Sequence, residues 1–288
     1  MDPLSSQQTP PPPSPMEPAT EVGPLLAWAH LNKLRERAPL IQCITNFVSM
    51  DLMANTLLAA GASPAMIHSL EEIPDFTPRV DALCVNLGTL SPDWLPSMQA
   101  AAEAADRHGT PWVLDPVAAG ATGYRLKACL AMLRFRPTVV RGNASEILAL
   151  SAASLGGSKG VDSCHDSVDA MEAAKLLARE CGCVVAVSGA VDVVTDGRRV
   201  VGCRNGVAMM RSITATGCSV TALIAAFLAV DKSRALEATA SALSIFGIAG
   251  EMGMEMAKGP ASLRMHLIDS LHGLDEAAVL SRAKITTM

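Results

Sequence analysis

The sequence predicts an α/β fold in which a mostly parallel central sheet carries helices on both faces. Three observations predict it. Short β-branched runs alternate with longer segments of helical period, polar residues cluster at the ends of those runs, and one stretch, residues 217–230, is helical and uncharged throughout. Parallel strands need a crossover of a dozen or more residues, usually a helix, so such an alternation reads as strands buried on both faces.

The candidate strands are, in order, "PLIQCI" (39–44), "DALCVNLG" (81–88), "PWVLDP" (111–116), "PTVVRGN" (137–143) and "CVVAVSG" (183–189). Helical stretches such as 93–108 and 144–151 follow most of them, and the 217–230 helix comes later. "VDVVTDGRRVVGCRNG" (191–206) instead reads as a hairpin across Asp196-Gly197, an antiparallel extension of the sheet. Residues 233–283 are mostly of helical pattern, broken at Gly259-Pro260. Neither an internal repeat nor a linker divides the body. The expected organisation is a disordered Pro/Ser-rich tail at 1–23 and one domain at 24–288.

Composition narrows the function. With 50% hydrophobic and 18% charged residues in 288, the chain buries a large core. The net charge of −5, the scattered lysines and arginines and the 3% aromatic content argue against nucleic acid or an anionic membrane as partner. No apolar run is long and uncharged enough to span a bilayer, and the tail, which lacks arginine, does not read as a transit peptide. Of the eight cysteines, Cys43, Cys84, Cys129 and Cys203 sit in apolar runs, and Cys181 and Cys183 lack partners at zinc spacing. A reduced, cytoplasmic protein is the expectation.

The chemistry collects at strand ends. Asn86, Asp115, Arg141 with Asn143, and Ser188 all end apolar runs, which brings them to one edge of a parallel sheet, where ligands bind. "TATGC" opens the apolar helix: Thr214 and Thr216 are candidate caps, and Gly217 lets an anion approach the unpaired backbone N–H groups of the first turn. Neither a Walker-type loop nor a dinucleotide-binding glycine pattern is present. Asp115, followed by Pro116 and a loop with Gly120, Gly123 and Arg125, and Glu146, in the first turn after Asn143, offer two carboxylates suited to a hydrated magnesium that bridges phosphates. Each also has a plainer explanation: Asp115 as a turn former, Glu146 as a capping-box acid, Asn143 as a helix cap. As a set with the glycine-opened helix they favour phosphoryl transfer. At the head of that helix the thiol of Cys218 is expected to be acidified, leaving three roles open: base, covalent nucleophile or pocket lining.

Five blocks in order, "QCITNFVSMDLMANTLLAAGASPAM", "LDPVAAGAT", "RGNASEI", "GSKGVDS" and "TATGCSVTALIAAF", resemble the hydroxyethylthiazole kinase family, thiamine-salvage enzymes of the ribokinase-like superfamily. The resemblance spans roughly Leu25 to Leu280. It implies a ribokinase-like fold, transfer of the γ-phosphate of ATP to the hydroxyethyl group of 4-methyl-5-(2-hydroxyethyl)thiazole, magnesium, and a homotrimer with active sites at subunit interfaces. It also implies roles. Met66, Asn46 and Ala215 lie on the thiazole side; Arg141, Ser188 and Asn143 contact ATP; Asp115 and Glu146 stand near metal and phosphates; Gly217 and Cys218 lie at the reacting centre, Cys218 where sugar kinases keep an aspartate base. The family usually has glycine where this chain has Ala215, and commonly Gly-Ala-Gly where it has Ala118-Ala119-Gly120. The alternatives are a kinase for hydroxymethylpyrimidine or another small alcohol, and a non-catalytic nucleotide- or vitamin-binding protein.

Overall fold

The computed structural model describes residues 22–154 and 167–288, and its strands form one nine-stranded sheet. The chain enters through α1 (Pro24–Arg37) and runs through β1 (Leu40–Ile44), α2 (Met50–Ala60), β2 (Ser63–Ala65), α3 (Ile73–Phe76), β3 (Ala82–Asn86), α4 (Trp94–His108) and β4 (Trp112–Asp115). It continues through α5 (Gly123–Leu133), β5 (Val139–Asn143), α6 (Ala144–Ser154), α7 (Ser167–Cys181) and β6 (Val184–Ser188). The hairpin β7 (Asp192–Thr195) and β8 (Val200–Cys203) leads to α8 (Thr216–Val230), then α9 (Ala235–Met256), α10 (Pro260–Gly273), α11 (Glu276–Arg282) and β9 (Ile285–Thr287). The order across the sheet is β2-β1-β3-β4-β5-β6-β7-β8-β9. Strands β1 to β6 run parallel, and the last three joins are antiparallel.

Successive strand residues point to opposite faces, and here both faces are covered. Cys84, Val113, Val139, Val184 and Ala186 pack on α1, α2, α8 and α9. Their neighbours Leu83, Val85, Trp112, Leu114, Val140, Val185 and Val187 pack on α4 to α7. That is why these runs read as continuously apolar rather than alternating. α8 is buried on nearly every side from Ser219 to Val230, which explains its lack of an apolar stripe. Its far end is fixed where Asp231 accepts a hydrogen bond from Arg234 Nε (2.8 Å) and meets the buried His30 of α1 (3.2 Å).

Two short strands escape the sequence reading. β2 is a three-residue edge strand containing Pro64, which the sheet tolerates at an edge, and it is too short to show a period. β9 pairs with β8 after a long helical stretch. The hairpin falls at the expected place, with a four-residue connection in which Asp196 Oδ1 accepts from the Arg198 and Arg199 N–H groups and Gly197 takes φ +89°. The expected tail at 1–23, apart from Val22 and Gly23, and the "GSKGVDS" block lie outside the described residues.

Candidate active site

The chain goes from β1 through α2 to β2 on one side, then returns to lay β3 on the other side of β1. α2 packs on one face of the sheet and α4 on the opposite face. The strand order therefore reverses between β1 and β3, and in open α/β sheets the crevice beyond the carboxyl ends at such a point receives ligands. Met66 follows β2, Asn46 follows β1, and Asn86, Asp115, Asn143 and Ser188 end β3, β4, β5 and β6. Register brings Asn86 beside Asp115 and Asn143 beside Ser188.

A line of polar side chains runs across these ends. Asn46 Nδ2 lies 3.6 Å from Cys218 Sγ and donates to Asn86 Oδ1 at 2.7 Å. Asn86 Nδ2 donates to Asp115 Oδ2 (2.7 Å), and Thr221 Oγ1 donates to the same oxygen (2.9 Å). Asp115 Oδ1 takes no protein donor among the described residues. Gly88 completes the turn: its N–H donates to Asn86 Oδ1 (2.9 Å), and a Cβ there would lie 2.6 Å from Asn46 Nδ2. Asn86 was read from sequence as a strand end at this edge, without a role; Gly88 and Thr221 were not read as site residues. The available signal for Thr221 was a hydroxyl four residues after Gly217, one helical turn along, in an otherwise apolar helix.

Burial pushes the Asp115 carboxyl up to about 6; the charge of Glu146 adds to the rise, while Arg141 and the bonds from Thr221 and Asn86 oppose it. Burial, helped by the charge of Asp115, also raises Cys218, against the bonds from Asn46 and Asn86. This corrects the expectation that the helix terminus acidifies the thiol. Burial thus favours the protonated thiol of the half-buried Cys218 over its thiolate.

Beside this line stands an anion seat. Arg141 Nε and Nη2 donate to Ser188 Oγ (3.0 and 2.6 Å), which turns the remaining amino group over the start of α8. A Cβ on Gly217 would lie 2.8 Å from Arg141 Nη1. The guanidinium and the positive end of the helix dipole thus share one spot, and a side chain at 217 would push the guanidinium away from it. The caps expected of Thr214 and Thr216 do not form. Ala215 occupies the cap position with φ +66° and no side-chain cap bond, while Thr216 Oγ1 turns back to the carbonyls of Met210 (3.1 Å) and Ile213 (3.2 Å).

Glu146 takes the capping-box role. Its Oε2 accepts from the Asn143 N–H (2.7 Å), and Asn143 Oδ1 accepts from the Glu146 N–H (3.0 Å). Its Oε1 accepts from the Ala118 N–H (2.8 Å), anchoring the loop after β4. Arg125 grips the same loop at the Val117 carbonyl (3.1 Å) and also donates to the Leu87 carbonyl. No group of three or more His, Cys, Asp or Glu that could hold a metal occurs among the described residues. Asp115, with Oδ1 undonated and its charge opposed by burial, fits a hydrated magnesium, whereas both Glu146 oxygens already accept backbone bonds.

Residues 31–277 match the model of the hydroxyethylthiazole kinase family. The chain belongs to that family. It is 66% identical over 261 residues to a hydroxyethylthiazole kinase of Arabidopsis thaliana, covering 91% of this chain and 95% of that protein. Against the Zea mays enzyme of the same name the identity is 66% over 263 residues, 90% of this chain and 92% of that one. The structure superposes on that of a hydroxyethylthiazole kinase protein from Pyrococcus horikoshii OT3 with a TM-score of 0.86 at 42% identity, covering 92% and 99% of the two chains. A pyridoxal kinase from Bacillus subtilis, at 17% identity and a TM-score of 0.55, shares the ribokinase-like fold.

Two alanines, Ala215 and Ala118, hold unusual backbone conformations. Ala215 (φ +66°) and Ala118 (φ +54°) both occupy the left-handed region, as does Thr89 (φ +37°) after β3. An L-residue with a Cβ is held there at a cost of roughly 1–2 kcal/mol. Ala215→Gly is expected to gain about 1 kcal/mol, partly offset by a freer unfolded chain, and so raise the thermal midpoint by about 2–4 °C. Calorimetry checks this; a fall in the midpoint would show that the Ala215 methyl contributes packing that outweighs the strain.

The carboxyl of Asp115 makes a second prediction. Because its folded value lies above that of a free aspartate, its contribution to stability is fully present at acid pH and is lost as the pH rises through about 6. Asp115→Asn should therefore melt above the wild type at pH 8, with the gap narrowing as the pH falls, while turnover drops by about a hundredfold or more. Melting curves across pH and turnover of the same variant test both halves.

Proposed function

We propose that the protein transfers the γ-phosphate of ATP to the hydroxyethyl oxygen of 4-methyl-5-(2-hydroxyethyl)thiazole. Family membership supports the substrate, and one observation supports the chemistry: the Arg141 guanidinium stands over Gly217 at the head of α8, beside the buried carboxylate of Asp115. Most of the rate in phosphoryl transfer comes from positioning and from charge stabilisation, which is what this arrangement supplies.

In this reading Arg141, held by Ser188, binds the ATP phosphates, and the Nδ2 of Asn143, free of the capping bonds its Oδ1 makes, is available to the nucleotide. Gly217 and the N–H groups of the first turn of α8 meet the transferring phosphoryl. Asp115, with Glu146 nearby, would hold a magnesium ion near the phosphates, which would supply them positive charge. Met66 and Asn46 hold the thiazole, with Ala215 close to it, and the protonated Cys218 lines the pocket beside the alcohol. Residues 24–288 act as one domain, in the cytoplasm, as a homotrimer whose sites lie between subunits. Seven free cysteines among the described residues accord with a reducing compartment. No helix among the described residues is long and apolar enough to cross a membrane.

ADP release with Mg-ATP, offered the thiazole alcohol and hydroxymethylpyrimidine in parallel, tests the reading. Turnover on the thiazole alone is expected, with light scattering of the same preparation giving a trimer. Silence on both alcohols with ATP still bound would favour the binding-protein alternative, and a strictly monomeric active enzyme would defeat sites between subunits. Because the thiol is held protonated, Cys218→Ala should keep measurable turnover. A complete loss, with folding and ATP binding intact, would make Cys218 an obligatory catalytic group.

A further inference from the structure

His68 joins the two segments that flank the thiazole side of the site. Its Nε2 accepts from the Thr45 N–H at 3.1 Å, so that nitrogen carries no proton, and its Nδ1 donates to the Met66 carbonyl at 3.0 Å. One ring therefore bridges the residue before Asn46 to Met66 itself, with its tautomer set by the two backbone groups. Gln42 pins the next residue, its Nε2 donating to the Ile67 carbonyl (3.2 Å), while Thr77 Oγ1 donates to Gln42 Oε1 (2.8 Å).

The ring is also fixed on its face. His68 lies 4.7 Å from Trp94, ring centre to ring centre, and Trp94 lies 4.6 Å from Phe47, whose backbone N–H donates to Thr89 Oγ1 (3.2 Å). Phe47, 69% exposed, ends this row next to Asn46, while Trp94 packs against the core. A fully hydrogen-bonded, stacked histidine at the rim joins β1 to the segment after β2, which the sheet itself pairs only through three residues.

We propose that His68 is a positioning residue for the alcohol substrate: it fixes the distance between Met66 and Asn46, and hence the width of the thiazole side, without touching the phosphates. This rests on the kinase reading given above. The test measures KM for the thiazole alcohol, KM for ATP and kcat in the wild type, His68→Ala and His68→Asn, with calorimetric binding of the thiazole alcohol in the absence of ATP. Asparagine can keep a donor toward Met66 while losing the acceptor for Thr45. His68→Ala should raise KM and Kd for the thiazole alcohol about tenfold with KM for ATP nearly unchanged, and His68→Asn should fall between it and the wild type. Equal losses toward both substrates, or an unchanged KM for the thiazole alcohol, overturn the proposal while leaving the kinase reading intact. A wild type that turns over no thiazole alcohol overturns the kinase reading and this inference with it.

Discussion

From Ser219 to Val230 helix α8 is enclosed by apolar side chains, so the partial charge of its backbone is felt chiefly at its first turn. That turn opens on the ends of the parallel strands. Much else follows from this placement. A Cβ at residue 217 would displace the Arg141 guanidinium from its place over the helix start. Arg141 must be turned by Ser188, which brings β5 and β6 into register at that level. The Asp231 contacts at the other end keep the helix from sliding.

Opposite this positive seat lies a buried carboxylate, Asp115, with two neutral donors on one oxygen and no compensating cation in direct contact. Leaving a carboxylate so placed is unfavourable in isolation, and the rise of its titration shows the tension. A ligand that brings positive charge relieves it. The left-handed Ala118, Ala215 and Thr89 add a smaller cost around the rim.

Much of this was legible in the sequence. Strand ends such as Asp115, Arg141 and Ser188 declared themselves because an apolar run stops at a polar residue, and Gly217 because it opens an uncharged helix. What was not legible depends on three-dimensional neighbours. Cys218 was read from its place at a helix terminus, but burial and the charge of Asp115 raise its thiol, against the bonds from Asn46 and Asn86 and the charge of Arg141. Thr216 looked like a cap, yet the left-handed Ala215 takes that position and the hydroxyl turns backward. Thr221 and His68 act through residues 106 and 23 positions away, Asp115 and Thr45, separations no local pattern reports. β2 and β9 are three residues each, shorter than any period can reveal.

The site is assembled from the ends of all six parallel strands and the head of α8, between Asn46 and Thr221, and no segment shorter than that contains it. Opening any of those strands dissolves the site, so ligand affinity is coupled to the cooperative unfolding of the whole sheet rather than to one loop.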